Sequence, residues 1–168
     1  ADTENHAIRK ITTNGVVRAL AGSGSFGILD GTGGRAQFAG PRTLAVDNEG
    51  NVYVGSQVGA VRKVSTDGVV TTLGVSGDTV ALSSSGSLYV SDGVTISRRN
   101  TFGVFERVAG QSTRSGGDGD RSIGGFNAIR AMAVDSDEQI WVVDAGALRR
   151  VSRDGNVTTI IKTIAARG

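Results

Sequence analysis

Thr43-Leu44-Ala45-Val46-Asp47-Asn48-Glu49-Gly50-Asn51-Val52-Tyr53-Val54 returns as Thr79-Val80-Ala81-Leu82-Ser83-Ser84-Ser85-Gly86-Ser87-Leu88-Tyr89-Val90. It returns again as Ala131-Met132-Ala133-Val134-Asp135-Ser136-Asp137-Glu138-Gln139-Ile140-Trp141-Val142. Tyr53, Tyr89 and Trp141 share one column of this repeat. A second block follows each copy: Ala60-Val61-Arg62-Lys63-Val64 before Asp67-Gly68, Ala147-Leu148-Arg149-Arg150-Val151 before Asp154-Gly155, and Ile96-Ser97-Arg98-Arg99-Asn100 before Gly103. The chain opens on this second block, with Ala7-Ile8-Arg9-Lys10-Ile11 before Asn14-Gly15. Each block is a pair of β-branched runs around a turn signal, so each full repeat predicts four antiparallel strands. Asn-Gly and Asp-Gly predict type I′ hairpins, which need positive φ at both central residues.

No stretch carries helical periodicity over the ~11 residues that would argue a helix. The expected class is all-β. Four-stranded units at a period of roughly 36–52 residues match propeller blades. Ile8 and Ile11, like Val61 and Val64, stand three apart and point to opposite faces of a strand, so both faces must be covered by neighbouring sheets. Ala45, Ala81 and Ala133 suit close approach of stacked sheets. The expected layout is a half blade over 1–22, blades over 42–74, 79–110 and 131–163, and long connectors over 23–41 and 111–130.

Composition excludes much chemistry. The 168 residues include 26 Gly, one Pro, one His and no Cys, with a formal charge of +2. Disulfides, thiolate sites and multi-histidine metal centres are therefore outside this chain's means. No apolar run approaches the ~20 residues of a membrane helix, so no membrane insertion is expected. Gly22-Ser23-Gly24-Ser25-Phe26-Gly27 matches a dinucleotide-binding fingerprint by letter, but no helix follows it. Ser115-Gly116-Gly117-Asp118-Gly119-Asp120-Arg121 resembles a calcium nonapeptide with Arg121 where Asp belongs, and aligns better with the connector at Asp30-Gly31. The recurrent Arg9, Arg62, Arg98 and Arg149 could form a phosphate- or RNA-binding ring. Their recurrence with the strand favours pairing with a blade carboxylate such as Asp2, Asp92 or Asp144. No Ser/His/Asp constellation is readable.

The motif Ala1-Asp2-Thr3-Glu4-Asn5-His6-Ala7-Ile8-Arg9-Lys10-Ile11 resembles the name-giving strand of the NHL-repeat family, with Ala7 where Leu is usual. The connector Asp30-Gly31-Thr32-Gly33-Gly34-Arg35-Ala36-Gln37-Phe38-Ala39-Gly40-Pro41 is similar to that family's inter-blade loop. Gln57-Val58-Gly59 and Asp144-Ala145-Gly146 depart from the Asn-His-Leu triplet. The resemblance implies a β-propeller, usually six-bladed, and favours an extracellular or cell-surface setting. Asn5, His6, Arg9, Arg62, Arg98, Arg149, Tyr53, Tyr89 and Trp141 would then be structural repeat positions.

About three and a half blades cannot close a ring of roughly 270 residues. The expected remainder comes from a longer polypeptide, which the mid-repeat opening favours, or from a second chain; closure as an unusually small ring is the third option. The expected role is a non-catalytic scaffold or interaction module without cofactor or metal, binding a protein partner through the long connectors. Phe26, Ile28, Leu29, Arg114, Arg121 and Ile123 are the candidate contacts, while Phe38 and Phe126 plug between blades. The alternatives are part of a metal-dependent lyase or hydrolase whose catalytic residues lie outside this chain, or an RNA-binding domain.

Overall fold

The computed structural model describes residues 1–162; residue 163, the expected end of the last blade, lies outside the described residues. The described residues contain no α-helix, only a one-turn 3-10 helix at Gly33–Arg35. The chain divides into two compact units, Ala1–Val80 and Ala81–Gly168.

In the first unit, β1 (Ile8–Ile11) pairs with β2 (Val17–Ala21) as an isolated hairpin. β4 (Pro41–Val46), β5 (Val52–Ser56), β6 (Ala60–Val64) and β7 (Val69–Ser76) follow as an antiparallel meander, and β3 (Gly31–Thr32) adds to the β7 edge. β8 (Thr79–Leu82) crosses the boundary between units. It leads into β9 (Leu88–Ser91), β10 (Thr95–Arg99) and β11 (Phe105–Gly110), a second four-stranded sheet. β12 (Ile129–Val134), β13 (Ile140–Asp144), β14 (Ala147–Val151) and β15 (Val157–Ile161) form the third.

Each unit buries its own core between facing sheets. Ile8 and Ala21 of the hairpin pack with Val52, Val54, Val64 and Val70 of the meander. Tyr89, Ile96 and Ala109 of the second sheet pack with Ile140, Val142, Val151 and Val157 of the third. Val61 and Val64, three apart on β6, are both buried, whereas of Leu148 and Val151 on β14 only Val151 is fully buried and Leu148 is half-buried. The small residues of the first strands do not share one fate: Ala81 is buried, Ala45 is half-buried and Ala133 is exposed.

The hairpin turns differ from the type I′ expectation. Gly15, Gly68 and Gly155 have positive φ, whereas Asn14, Asp67 and Asp154 do not. Each turn instead has a backbone bond from the fourth residue's N–H to the first residue's carbonyl, as from Gly68 to Ser65 at 2.9 Å, with only that fourth residue left-handed. This is the three-residue loop with a G1 bulge. Its first residue carries a side-chain oxygen that accepts the N–H of the residue four on: Thr12 from Val16, Asp47 from Asn51, Ser65 from Val69, Ser83 from Ser87, Asn100 from Val104, Asp135 from Gln139 and Ser152 from Asn156. The same device serves hairpins whose sequences look unrelated. Glu138, at φ 60°, holds the position that Gly takes in the other turns.

The left-handed positions differ in what surrounds them. Gly86 has open space where a Cβ would stand, whereas at Gly155 that Cβ would lie 2.5 Å from the Val108 carbonyl oxygen. Gly86→Ala is expected to cost about 1 kcal/mol for the φ alone. Gly155→Ala should cost clearly more, the two being compared by denaturant unfolding.

Candidate functional site

Two long connectors are the features that most distinguish one blade from another. Each crosses the outer edge of the blade that follows it. Gly31 and Thr32 pair with Val70 and Val69 on β7, and Gly119 exchanges both backbone bonds with Val157 on β15, at 3.0 and 2.7 Å. The first residues of each outer strand thereby gain backbone partners at an edge.

A buried arginine from the third strand pins each connector. Arg62, on β6, donates to the Gln37 and Leu29 carbonyls at 2.9 Å each and to the Asp30 carboxylate. Arg149, on β14, donates to the Gly125 and Gly117 carbonyls at 2.7 Å each, to Asp118 at 2.8 Å and to Asp144 at 2.9 Å. The guanidinium carbons lie 5.5 Å from the ring centre of Phe38 and 5.3 Å from that of Phe126, and both rings are fully buried. Thr72 and Thr159 complete the match by donating to Asp30 and Asp118. Among the described residues the Nε of either arginine has no acceptor; the aromatic ring takes the face of the cation instead.

Burial pushes the Asp30 carboxyl up, but the bonds from Thr72 and Arg62 outweigh it and hold the group below the ordinary carboxylate range. Asp118 follows the same balance, burial opposed by Thr159 and then Arg149. Asp144 is buried with Arg149 and also accepts the Asn127 and Ala128 N–H groups.

Strand register corrects the place of Arg98. Opposite Tyr53, Tyr89 and Trp141 stand Lys63, Arg98 and Arg150. The residue equivalent to Arg62 and Arg149 is therefore Ser97. The reason is local: the blade of β8–β11 follows β7 after residues 77–78 alone, so it has no long connector to pin. Asp92 turns its carboxylate to the Val94 and Thr95 N–H groups. Arg9, at the anchoring position of β1, pairs with Asp2 at 2.7 Å, and Asn5 donates to the same carboxylate.

The other singled-out residues separate by role. His6 adopts φ 47°, accepts the Gly40 N–H on Nδ1 at 3.3 Å, and meets the Phe26 ring edge-on at 5.4 Å. Tyr53 and Trp141 donate to Asp47 and Asp135 at their turns. Tyr89, whose equivalent turn opens on Ser83 rather than Asp, interacts instead with Arg98; burial and then Glu138 push its phenol up. Phe26, Ile28 and Leu29 are 59–65 % exposed on the first connector, and the methyl of Ile28 lies against Gly59. Arg114, Arg121 and Ile123 are exposed on the second. Asp30 and Asp118 were the missed members of the site; their signal was the shared Asp-Gly whose Asp stands eight residues before Phe38 and Phe126 alike.

No family model matches the chain, and no curated protein does. Solved structures match closely in fold. Streptogramin B lyase shares 12 % identity over 99 % of this chain and 51 % of its own, with a TM-score of 0.68. A gluconolactonase from Xanthomonas campestris shares 15 % over 96 % and 57 %, with a TM-score of 0.67. An auxiliary nutrient binding protein from Bacteroides thetaiotaomicron shares 18 % over 94 % and 42 %, with a TM-score of 0.66. The fold is that of six-bladed β-propeller-like proteins, and the chain spans about half the length of these structures. The expectation that the chain is no enzyme is withdrawn, because the same fold carries named enzymes, a lyase and a lactonase among them.

The arginine anchors make two measurable statements. Arg149→Met should cost about 3–5 kcal/mol, since it strands the buried Asp144 carboxylate; Arg62→Met should cost less, because Asp30 is half-exposed and returns to water. Asp30 and Asp118 have folded-state pKa values below their unfolded ones, so their contribution is present above the ordinary carboxylate range and is lost as pH falls through the folded values. Thermal melts from neutral to acid pH should therefore fall less steeply in the Asp30→Asn/Asp118→Asn double variant than in the parent.

Proposed function

We propose that the chain is an NHL-type propeller segment that recognises a protein partner through its first connector. The carrying observation is three large apolar side chains, Phe26, Ile28 and Leu29, held outward within four residues on a loop that Arg62 pins from beneath. Free loops lose entropy when they bind; a loop already tied at Leu29 and Asp30 loses little. Val58 stands exposed next to Gly59, the residue against which Ile28 rests, and extends the apolar surface. The His6 turn supports the NHL reading, since its left-handed backbone and its bond from Gly40 give the motif's histidine a structural task.

A second reading places these blades within a propeller enzyme of lyase or lactonase kind. The near-complete match of the chain to half of such a structure supports it. Turnover of a lactone by the chain with added divalent cation would favour this reading.

A photo-crosslinking residue at position 28 should give discrete adducts in a native extract, competed by excess parent protein but not by a Phe26→Ser/Ile28→Ser/Leu29→Ser variant. The same group at Phe102, exposed at the tip of another turn, should give none. Equal labelling from both positions would end the proposal.

A further inference from the structure

The aromatic column of the repeat meets a carboxylate in two blades and a hydroxyl-bearing turn in the other. Tyr53 donates to Asp47 at 3.3 Å, and Trp141 Nε1 donates to Asp135 at 2.9 Å. In the blade of β8–β11 the turn opens on Ser83, and Tyr89, only 3 % exposed, interacts with Arg98 instead. An arginine can only donate, so the phenol proton lacks the anionic acceptor that its equivalents have. Glu138 bears on the phenol through its charge, while its own Oε1 accepts from Ser85 at 2.6 Å.

Tyr89 and Arg98 form one wall of a small cleft between the second and third sheets. Glu138 and Arg153 form the other wall, and Arg121 enters from the second connector. Arg121 is fixed at its root. Gln111 donates to its carbonyl at 3.1 Å, and its Cβ packs over Gly155, where an added Cβ would lie 3.3 Å away. Among the described residues no carboxylate stands within ion-pair distance of Arg98, Arg121 or Arg153. The nearby carboxylates are engaged elsewhere. Glu106, opposite Arg98 across the sheet, accepts from Asn100, Asp120 from Ser122, and Asp154 from Ser152 and Asn156. Three guanidinium groups against the one carboxylate of Glu138 leave the cleft with an excess of two positive charges.

We propose that this cleft binds the terminal phosphoryl group of a phosphate monoester, held by Arg98, Arg121 and Arg153, with the Tyr89 hydroxyl donating to one of its oxygens. The planar forks of arginine suit phosphate oxygens. At about 40 Å³ the cleft has room for a few water-sized atoms, so the phosphoryl head enters and its ester stem stays in solvent. A monoester offers three free oxygens and close to two negative charges, which match the donors and the excess charge. A phosphodiester offers two oxygens and one charge, and a stem on each side keeps it from entering end-on. The site is separate from the first connector and needs no catalytic role.

Calorimetric titration of the 168-residue chain with methyl phosphate at low ionic strength tests this. One saturable site is expected, with dimethyl phosphate binding at least about tenfold more weakly. Arg98→Gln and Arg153→Gln should each weaken binding at least about tenfold, whereas Glu138→Gln should tighten it by removing the opposing charge. Ser83→Asp keeps the turn, because Asp47 and Asp135 hold theirs through the same bond. It gives the Tyr89 hydroxyl an internal acceptor, so binding should again fall at least about tenfold. No saturable binding at tens of millimolar methyl phosphate would overturn the proposal, as would binding unmoved by Arg153→Gln and Ser83→Asp. Equal binding of dimethyl phosphate, or binding of inorganic phosphate without methyl phosphate, would overturn the monoester assignment.

Discussion

A guanidinium stripped of water must be given acceptors by the protein, and the two buried arginines set the form of everything that crosses them. Arg62 and Arg149 sit on third strands with side chains only 3 % and 1 % exposed, so no solvent remains to share the charge. Each therefore draws in the two carbonyls and the carboxylate of the connector that precedes its own blade. A loop met in this way has little freedom left. Its backbone then pairs with the start of the fourth strand. Where no connector exists the cation disappears as well, and Ser97 stands in its place.

The strands themselves depend on a smaller interaction. Seven turns share one arrangement in which a hydroxyl, carboxylate or carboxamide oxygen accepts the N–H of the residue four on. That bond satisfies a donor the turn would leave to water, and the left-handed fourth residue aligns the twist of the two strands. Thr, Asp, Ser and Asn all serve, because each offers an oxygen at the same short reach. The composition is accordingly rich in glycine and in short polar side chains while remaining poor in aromatics.

Rigid sheets with pinned loops are a general platform, and the solved propellers that share this fold include lyases, lactonases and nutrient-binding proteins. The fold is thus compatible with catalysis and with recognition alike, and function rests on what particular loops and edges expose. In this chain the exposures are specific. Phe26, Ile28 and Leu29 stand outward on the first connector.

Repeat period, strand number and the apolar faces were legible in the residues, because two-residue alternation and recurring glycine turns are local properties of a chain. The column of Tyr53, Tyr89 and Trp141 was legible for the same reason. The turn geometry was not: Asn-Gly and Asp-Gly fit both hairpin types, and the choice depends on the oxygen three residues before the glycine and on its bond across the loop. Arg98 was misplaced because strings of Arg and Lys align equally well one residue apart, and pairing across the sheet alone distinguishes the registers. Asp30 and Asp118 came to their arginines from more than thirty residues away in sequence. Local chemistry thus wrote the strands and their turns. Which carboxylate meets which cation followed from packing sheets face to face, since that packing removes water from some positions of a repeat and leaves it at others.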